Sequence, residues 1–218
     1  MRSLSPSDLA VVEAMTRREV SLLPNRQIVG EGEIGLGLYM LTEGWAFRYR
    51  QVGERGRQIV DFLLPGEIIG LQASLLGVLE HSVRSLTSVR LKSYDPRLIA
   101  EAFEKSPALA LRFARYVSAE AARSDALISA IGCCDAVQRL AFLMFSLYQR
   151  QSRNRVVDPR NCPFPLRRQH LADALGLTGA HVNRTINRLK SDGVVSINGR
   201  QLAIHDLPQL SELAGFAA

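Results

Sequence analysis

Cysteine is scarce. The chain has three in 218 residues: Cys133, Cys134 and Cys162. An odd, small number cannot close into a disulfide framework, which argues for a reducing compartment. It also falls short of the roughly four thiolates that hold an iron–sulfur cluster. The four histidines, His81, His170, His181 and His205, are scattered, and no His/Cys cluster has metal-ligand spacing. No metal and no cofactor is expected. His81 alone would be the ligand to a haem, and a lone histidine is ordinarily a polar residue of the fold. No Ser/His/Asp set and no phosphate-cradling loop is present. Gly35-Leu36-Gly37 lacks the further glycine and the helix of a dinucleotide fingerprint. The sequence therefore does not read as an enzyme. Met1–Ala14 contains Arg2, Asp8 and Glu13 and no long apolar run, so no secretory leader is expected. The most apolar stretch, 59–79, is broken by Asp61, Pro65, Glu67 and Gln72 and is too polar for a membrane span. The expectation is a cytoplasmic protein that does not enter the membrane.

What is present is an ordinary globular composition, 47% apolar and 22% charged. The net charge of +6 is uneven. Residues 1–132 hold 16 basic and 15 acidic side chains, and residues 133–218 hold 11 and 6. A near-neutral first part followed by a basic second part points to a polyanionic partner for the second.

The pattern along the chain changes twice. Residues 4–15 read as a short amphipathic helix started by Ser5-Pro6. Short β-like runs follow at 27–30, 38–42, 46–51, 58–63, 83–86 and 89–94, separated by glycine-rich turns, as in a small all-β roll or barrel. From Pro96 the texture is helical. Residues 98–103 form a short helix, and Pro107 opens a long one to about Ile131. Its apolar line, Leu109, Phe113, Tyr116 or Val117, Leu127 and Ile131, approaches a heptad, with Glu120 and Ser124 in its middle. Two readings stand: a helix packed on its own β domain, or a dimer seam with a polar window. Gly132 is expected to break this helix. Asp135 caps the next, 136–150, with Val137, Leu140, Ala141, Met144 and Leu147 on one face.

The last part carries a constellation. Residues 168–175 form a short helix, Gly176-Leu177-Thr178 a turn, and 179–191 a second helix capped by Thr178, with Val182, Ile186 and Leu189 inward. Gly193 ends it. Asn198-Gly199 between two apolar runs signals a hairpin. Helix, glycine turn, helix and hairpin make a winged helix-turn-helix. In the second helix Arg184 can pair bidentately with guanine, and Asn183 or His181 can bond base edges in the major groove. Arg188, Lys190 and Arg200 of the wing suit phosphates. Double-stranded DNA is the expected partner.

A β-roll, a long helix and a C-terminal winged helix, in that order, resemble the CRP/FNR superfamily of bacterial transcription regulators. The resemblance rests most on Phe62-Leu63-Leu64-Pro65-Gly66-Glu67-Ile68-Ile69-Gly70 and on the stretch from Leu171 to Arg184. The ending, Ile204-His205-Asp206 through Gly215, is similar to the FNR side, here without that protein's cluster cysteines. The resemblance implies an α+β fold: an N-terminal cyclic-nucleotide-binding-like β-roll (1–106), a long dimerisation helix and hinge (107–134) and a winged helix-turn-helix (135–218). It implies a homodimer on a palindromic site, with RNA polymerase as a further partner through the loop 52–57. Arg184 falls at the base-reading arginine, and Arg168, Gln169 and Thr178 at phosphate-contacting positions. The superfamily's reading glutamate falls at Ala180 and is absent.

The resemblance also implies where an effector would sit: Gly70, Leu71, His81 and Ser82 in the roll, Ser124 and Asp125 on the long helix. Cyclic-AMP-binding members offer Gly-Glu-Leu to the ribose and Arg-Ser to the phosphate. Here Leu71 stands for the glutamate and His81 for the arginine. Losing a buried partner to a phosphate costs about 2–5 kcal/mol, so weak or no cyclic-AMP binding is expected. Cys133-Cys134 falls at the hinge; the plain reading is two small buried side chains, the other a redox switch. The functional expectation is a sequence-specific DNA-binding transcription regulator controlled by neither cyclic AMP nor an iron–sulfur cluster. The alternative is a small-molecule- or redox-sensing module whose main output is protein association.

Overall fold

Glycine turns and β-branched or aromatic runs set the first part of the chain, and capped helices set the second. The computed structural model describes residues 5–33, 37–53, 56–153 and 157–215. In order the elements are α1 (Pro6–Ala14), β1 (Thr16–Leu22), β2 (Gln27–Val29), β3 (Leu38–Glu43), β4 (Ala46–Val52), β5 (Gly56–Leu63), β6 (Ile68–Ile69), α2 (Leu71–Leu76), β7 (Ser82–Ser85) and β8 (Val89–Tyr94). After a 3₁₀ turn come α3 (Ile99–Lys105), α4 (Pro107–Cys133), α5 (Ala136–Ser152), β9 (Cys162–Pro163), α6 (Arg168–Leu175), α7 (Gly179–Ser191), β10 (Val195–Asn198), β11 (Gln201–Ile204) and α8 (Leu207–Ala214). By internal contacts the chain divides into two units, Met1–Gln51 with Val60–Arg123 and Val52–Ile59 with Ser124–Ala218. The division falls inside α4.

The first unit is built on two four-stranded sheets, β1-β8-β3-β6 and β2-β7-β4-β5. Between them lies a core that includes Val29, Leu41, Ala46, Leu63, Ile69, Val83 and Leu91. The apolar stretch 59–79 is a strand, a turn, a two-residue strand and a helix, and Ile59, Phe62, Leu63, Ile69, Leu71 and Leu79 are all buried. Three of the first unit's elements went unread in the sequence: β1, the two-residue β6 and α2. β1 is mostly polar (Thr-Arg-Arg-Glu-Val-Ser-Leu) and pairs with β8 at a sheet edge, with only Val20 and Leu22 turned to the core. α2 starts and ends on left-handed glycines, Gly70 (φ 85°) and Gly77 (φ 87°). α1 starts where expected, with Ser5 and Asp8 forming a capping box, but none of its residues is fully buried and it has no strong apolar stripe.

The line Leu109, Phe113 and Tyr116 on α4 packs in the first unit's own second cluster, with Met15, Leu38, Leu71, Tyr94 and Ile99. Phe113 meets Phe103 edge-on, ring centroids 5.0 Å apart. For these residues the helix-on-its-own-domain reading is the right one. α4 continues through Gly132 to Cys133, so this glycine does not break it.

In the second unit the end of α4 meets α5 and α8 through Ala130, Phe142 and Ala214. Asp135 caps α5 with its side chain accepting from the N–H groups of Val137 and Gln138. Leu140, Met144 and Leu147 of α5, Leu171 and Leu175 of α6 and Val182 and Leu189 of α7 are buried. Each such side chain contributes about 1.5–3 kcal/mol of burial. The small sheet β10-β11-β9 closes the unit.

Candidate nucleic-acid interface

α7 is oriented by its inner face. Val182, Thr185 and Leu189 are buried, and Thr185 donates its hydroxyl to the carbonyl of His181 at 2.9 Å. Thr178 caps the helix by accepting the His181 N–H at 3.2 Å. The inward anchors leave His181, Arg184 and Arg188 on one exposed row, spaced i, i+3 and i+7, with exposed Ala180 and Asn187 beside it. The row borders an open groove whose other wall is Asp135, Ala136 and Val137 at the start of α5. That wall is a feature the sequence did not mark, because it comes from an element more than forty residues away. Arg188 also lies 3.8 Å from Asp192 one turn on, a solvent-exposed pair of little energetic weight. Lys190 is exposed on another flank. Asn183 stands off the row: it is half-buried, and its Oδ1 is buried without a hydrogen bond.

α6 presents Arg168 and Gln169 in its exposed first turn. The helix starts with the Arg167 N–H donating to Nδ1 of His170 at 3.0 Å. Burial, and then Arg57 and Arg167, push the His170 imidazole down to about 4, so it is a neutral acceptor. Gln169 donates its amide to Asp173 at 2.6 Å, and Asp173 also accepts from Arg57 Nε at 2.9 Å. The amide of Gln58 reaches the carbonyl of Ala174 at 3.1 Å. Gln169 is thus engaged within the unit. Of the loop 52–57, Glu54 and Arg55 lie outside the described residues, and Arg57 is committed to Asp173. Arg139, which sequence reasoning missed, donates to the carbonyls of Cys134 at 2.8 Å and Leu175 at 3.3 Å. It ties the link between α4 and α5 to the end of α6.

The wing is β10 and β11, with Asn198 paired to Gln201. The two-residue loop is therefore Gly199-Arg200, one residue later than the Asn-Gly reading. Gly199 takes the positive φ (61°) that the first central position requires, and Arg200 is exposed at the tip.

Of the residues marked for an effector, four belong to the first unit and two to the second. Gly70 sits left-handed at the head of α2, and a Cβ there would come within 2.5 Å of the Gly37 carbonyl. Leu71 points into the core with Tyr94 and Ile99. His81 is buried; burial first, then Arg48 and Arg50, push its imidazole down to about 3, leaving a neutral ring. Ser82 accepts the Glu31 N–H at 3.0 Å. Ser124 and Asp125 are exposed on α4 and counted with the second unit. The position that the resemblance gives to the phosphate's cation holds an uncharged ring in the field of Arg48 and Arg50.

Cys133 is exposed, Cys134 half-buried and Cys162 buried. The buried-pair reading therefore fails for Cys133, which lies in the last turn of α4. Burial, and then Asp158, push the Cys162 thiol up to about 11. Among the described residues no group of three or more His, Cys, Asp or Glu side chains could hold a metal ion, and no helix is long and apolar enough to cross a membrane.

Residues 138–213 match the family described as the Crp-like helix-turn-helix domain, and residues 19–106 match the cyclic nucleotide-binding domain. The chain is similar to the nitrogen fixation regulation protein FixK of Rhizobium meliloti (strain 1021), at 30% identity over 176 residues covering 80% of this chain and 76% of that protein. It is similar to an anaerobic regulatory protein of Aggregatibacter actinomycetemcomitans, at 24% identity over 214 residues covering 98% of this chain and 82% of the relative. Among solved structures, that of FixK2 from Bradyrhizobium japonicum matches with a TM-score of 0.82, over 92% of this chain and 98% of that one, at 22% identity. That last likeness speaks for the fold.

Proposed function

The chain belongs to the CRP/FNR superfamily of transcription regulators, and on that footing we propose that it is a homodimer that reads a palindromic DNA site with α7, in the cytoplasm, under the control of neither cyclic AMP nor an iron–sulfur cluster. The observation that carries this is the exposed row His181, Arg184 and Arg188 on a helix whose opposite side is locked by Val182, Thr185 and Leu189. Arg184 takes the base-reading role, with His181 beside it where the superfamily's glutamate is replaced by Ala180. Arg168, Thr178, Arg188, Lys190 and Arg200 supply phosphate contacts, which position the protein without reading sequence. Asn183, turned off the row, has the weaker claim to a base.

The dimer is proposed through α4, along a line that keeps Val117, Ser124 and Ile131 of the seam first read and replaces Leu109, Phe113 and Leu127 by their neighbours. Positions 110, 114, 117, 121, 124, 128 and 131 repeat at 4,3 spacing. They hold Ala110, Ala114, Val117, Ala121, Ser124, Ile128 and Ile131, and Val117 and Ile128 are 43% and 68% exposed. Small and apolar residues in a heptad seam let two helices approach closely. The proposed division is 1–106 for the roll, 107–134 for the dimerisation helix and hinge, and 135–218 for the reader.

The experiment is selection from random duplexes with reduced, full-length protein and no added ligand, followed by titration of enriched sites at several salt concentrations. The expected result is a palindrome whose half-sites lie about 34 Å apart, with affinity falling steeply with salt. Binding that enriches no sequence overturns the reading of a regulator competent without an effector.

A further inference from the structure

The face of α4 next to the proposed seam carries charge into the first unit. Tyr116, Glu120 and Arg123 follow at i, i+4 and i+7, and each meets a polar partner. Glu120 pairs with Arg48 of β4. Arg123 lies 3.5 Å from Asp61 of β5 and 4.0 Å from Glu67 in the turn before β6. The Tyr116 hydroxyl accepts the Ile68 N–H at 3.0 Å and lies 3.3 Å from Glu120 Oε1. The five charged side chains keep between 14% and 19% of their exposure. They therefore sit where ion pairs are weakly screened.

Their place in the roll gives the cluster its meaning. Arg48 stands opposite Val83 in the β4–β7 ladder, and Tyr49 opposite Ser82. The buried guanidinium is thus on the strand beside His81 and Ser82, where a cyclic nucleotide domain would hold its phosphate. Two cations face three anions, so the cluster is net negative. The cation nearest that position is already held by Glu120. An anion that took Arg48 would have to break its pair with Glu120, while Arg50, which also acts on His81, is exposed and lies 3.7 Å from Glu31.

We propose that this cluster is a built-in substitute for an effector: Arg48–Glu120, with Arg123 on Asp61 and Glu67, fastens the first half of α4 to the roll without ligand and keeps Arg48 from an anionic ligand. The inference deepens the reading of a regulator that cyclic AMP does not control. It rests on that reading only for the expectation that a roll of this family takes an effector. The physics sets the sign of the test. Removing one partner of a buried pair strands the other charge, whereas replacing both by neutral groups of similar size is close to neutral. An exposed pair would show almost nothing either way.

The experiment is amide hydrogen exchange on the full chain, comparing wild type, Arg48→Met, Glu120→Gln and the double variant, with the amides of α7 as the internal folding control. Each single variant is expected to exchange about tenfold or more faster across 113–123, with α7 unchanged. The double variant is expected to return to within about threefold of wild type. Cyclic AMP at about millimolar concentration is expected to leave wild-type exchange and calorimetry flat. Single variants that exchange like wild type overturn the proposal. So does a double variant as loose as the two singles combined, or protection of α4 by micromolar cyclic AMP. If a single variant does not fold, the double decides: a folded double with wild-type exchange in α4 supports the proposal, and an unfolded one overturns it. No DNA enters this measurement, so a failed site selection would sink the functional reading and leave this result standing.

Discussion

Arg184 projects from the exposed side of α7, away from the buried anchors Val182 and Leu189. Its removal takes nothing from the core. Arg184→Ala is expected to leave the urea midpoint unchanged within about 0.5 kcal/mol. It should cost about 1–3 kcal/mol of specific DNA affinity per base pair read. Fluorescence anisotropy on the selected site, beside a urea melt, checks both halves. The buried histidines make a second residue-scale prediction. His81 is pushed from 6.5 down to about 3 and His170 to about 4, burial being the first cause in each. Both are neutral in the folded chain and titrate near 6.5 when unfolded. The unfolded state therefore binds the extra protons as pH falls below about 6.5, and folded-state stability declines from there toward pH 4. For the well-buried His81 the slope approaches about 1.4 kcal/mol per pH unit. Urea midpoints at about pH 7.5 and pH 5 should differ, and His81→Gln should flatten part of that difference. A variant with the wild-type pH dependence would show that His81 is not responsible.

At the scale of elements, turn and cap chemistry was legible because it is local. Ser5-Pro6, Asp135 and Thr178 each begin a helix as read, and each side-chain oxygen accepts a backbone N–H of the first turn. Asp135→Ala removes the acceptor for Val137 and Gln138 and half of a capping box. About 1 kcal/mol of stability should be lost, within a range of about 0.5–2, while Asp135→Asn should recover most of it; chemical denaturation of the two variants decides. The elements that escaped were those whose reason is not local. β1 shows only Val20 and Leu22 of an apolar alternation, too short to announce a strand whose hydrogen bonds come from β8. α2 is six residues long and bounded by glycines that a linear reading takes for loop. The wing slipped by one residue because an Asn-Gly pair fits two registers, and pairing of Asn198 with Gln201 selects one.

At the scale of the whole molecule, α4 carries two lines of residues at one heptad spacing. The line 109, 113 and 116 is the more apolar and goes to the unit's own core. The line 114, 117, 121 and 128 is smaller in side-chain volume and more exposed. A charge in the second line should separate a dimer and spare the fold. Val117→Asp is expected to sediment as a monomer with the wild-type far-UV spectrum. Its affinity for a full palindrome should fall to that for a half-site. A Val117→Asp protein that remains dimeric would place the seam elsewhere. Arg112, beside the line, offers no such test because its conversion to Ala changes charge without blocking helix approach.

The sequence by itself determined the class of protein. Alternating short strands and glycine turns, one long helix, two short helices around a glycine turn and a basic last third are properties of the chain taken in order, and local propensity is enough to read them. It also put Leu71 and His81 where the resemblance places a glutamate and an arginine, because residue identity is read without a fold. Only the tertiary structure decided which face of a helix looks inward. Periodicity reports that a stripe exists, but two stripes at the same spacing on α4 are told apart by what packs on them. The same holds for Asn183, turned off the reading row, and for Cys133, exposed at the end of α4. The cluster of Arg48, Asp61, Glu67, Glu120 and Arg123 is the extreme case. Its members lie up to 75 residues apart, Arg48 to Arg123, and nothing in the linear order pairs a cation with its anion until the roll closes on the helix.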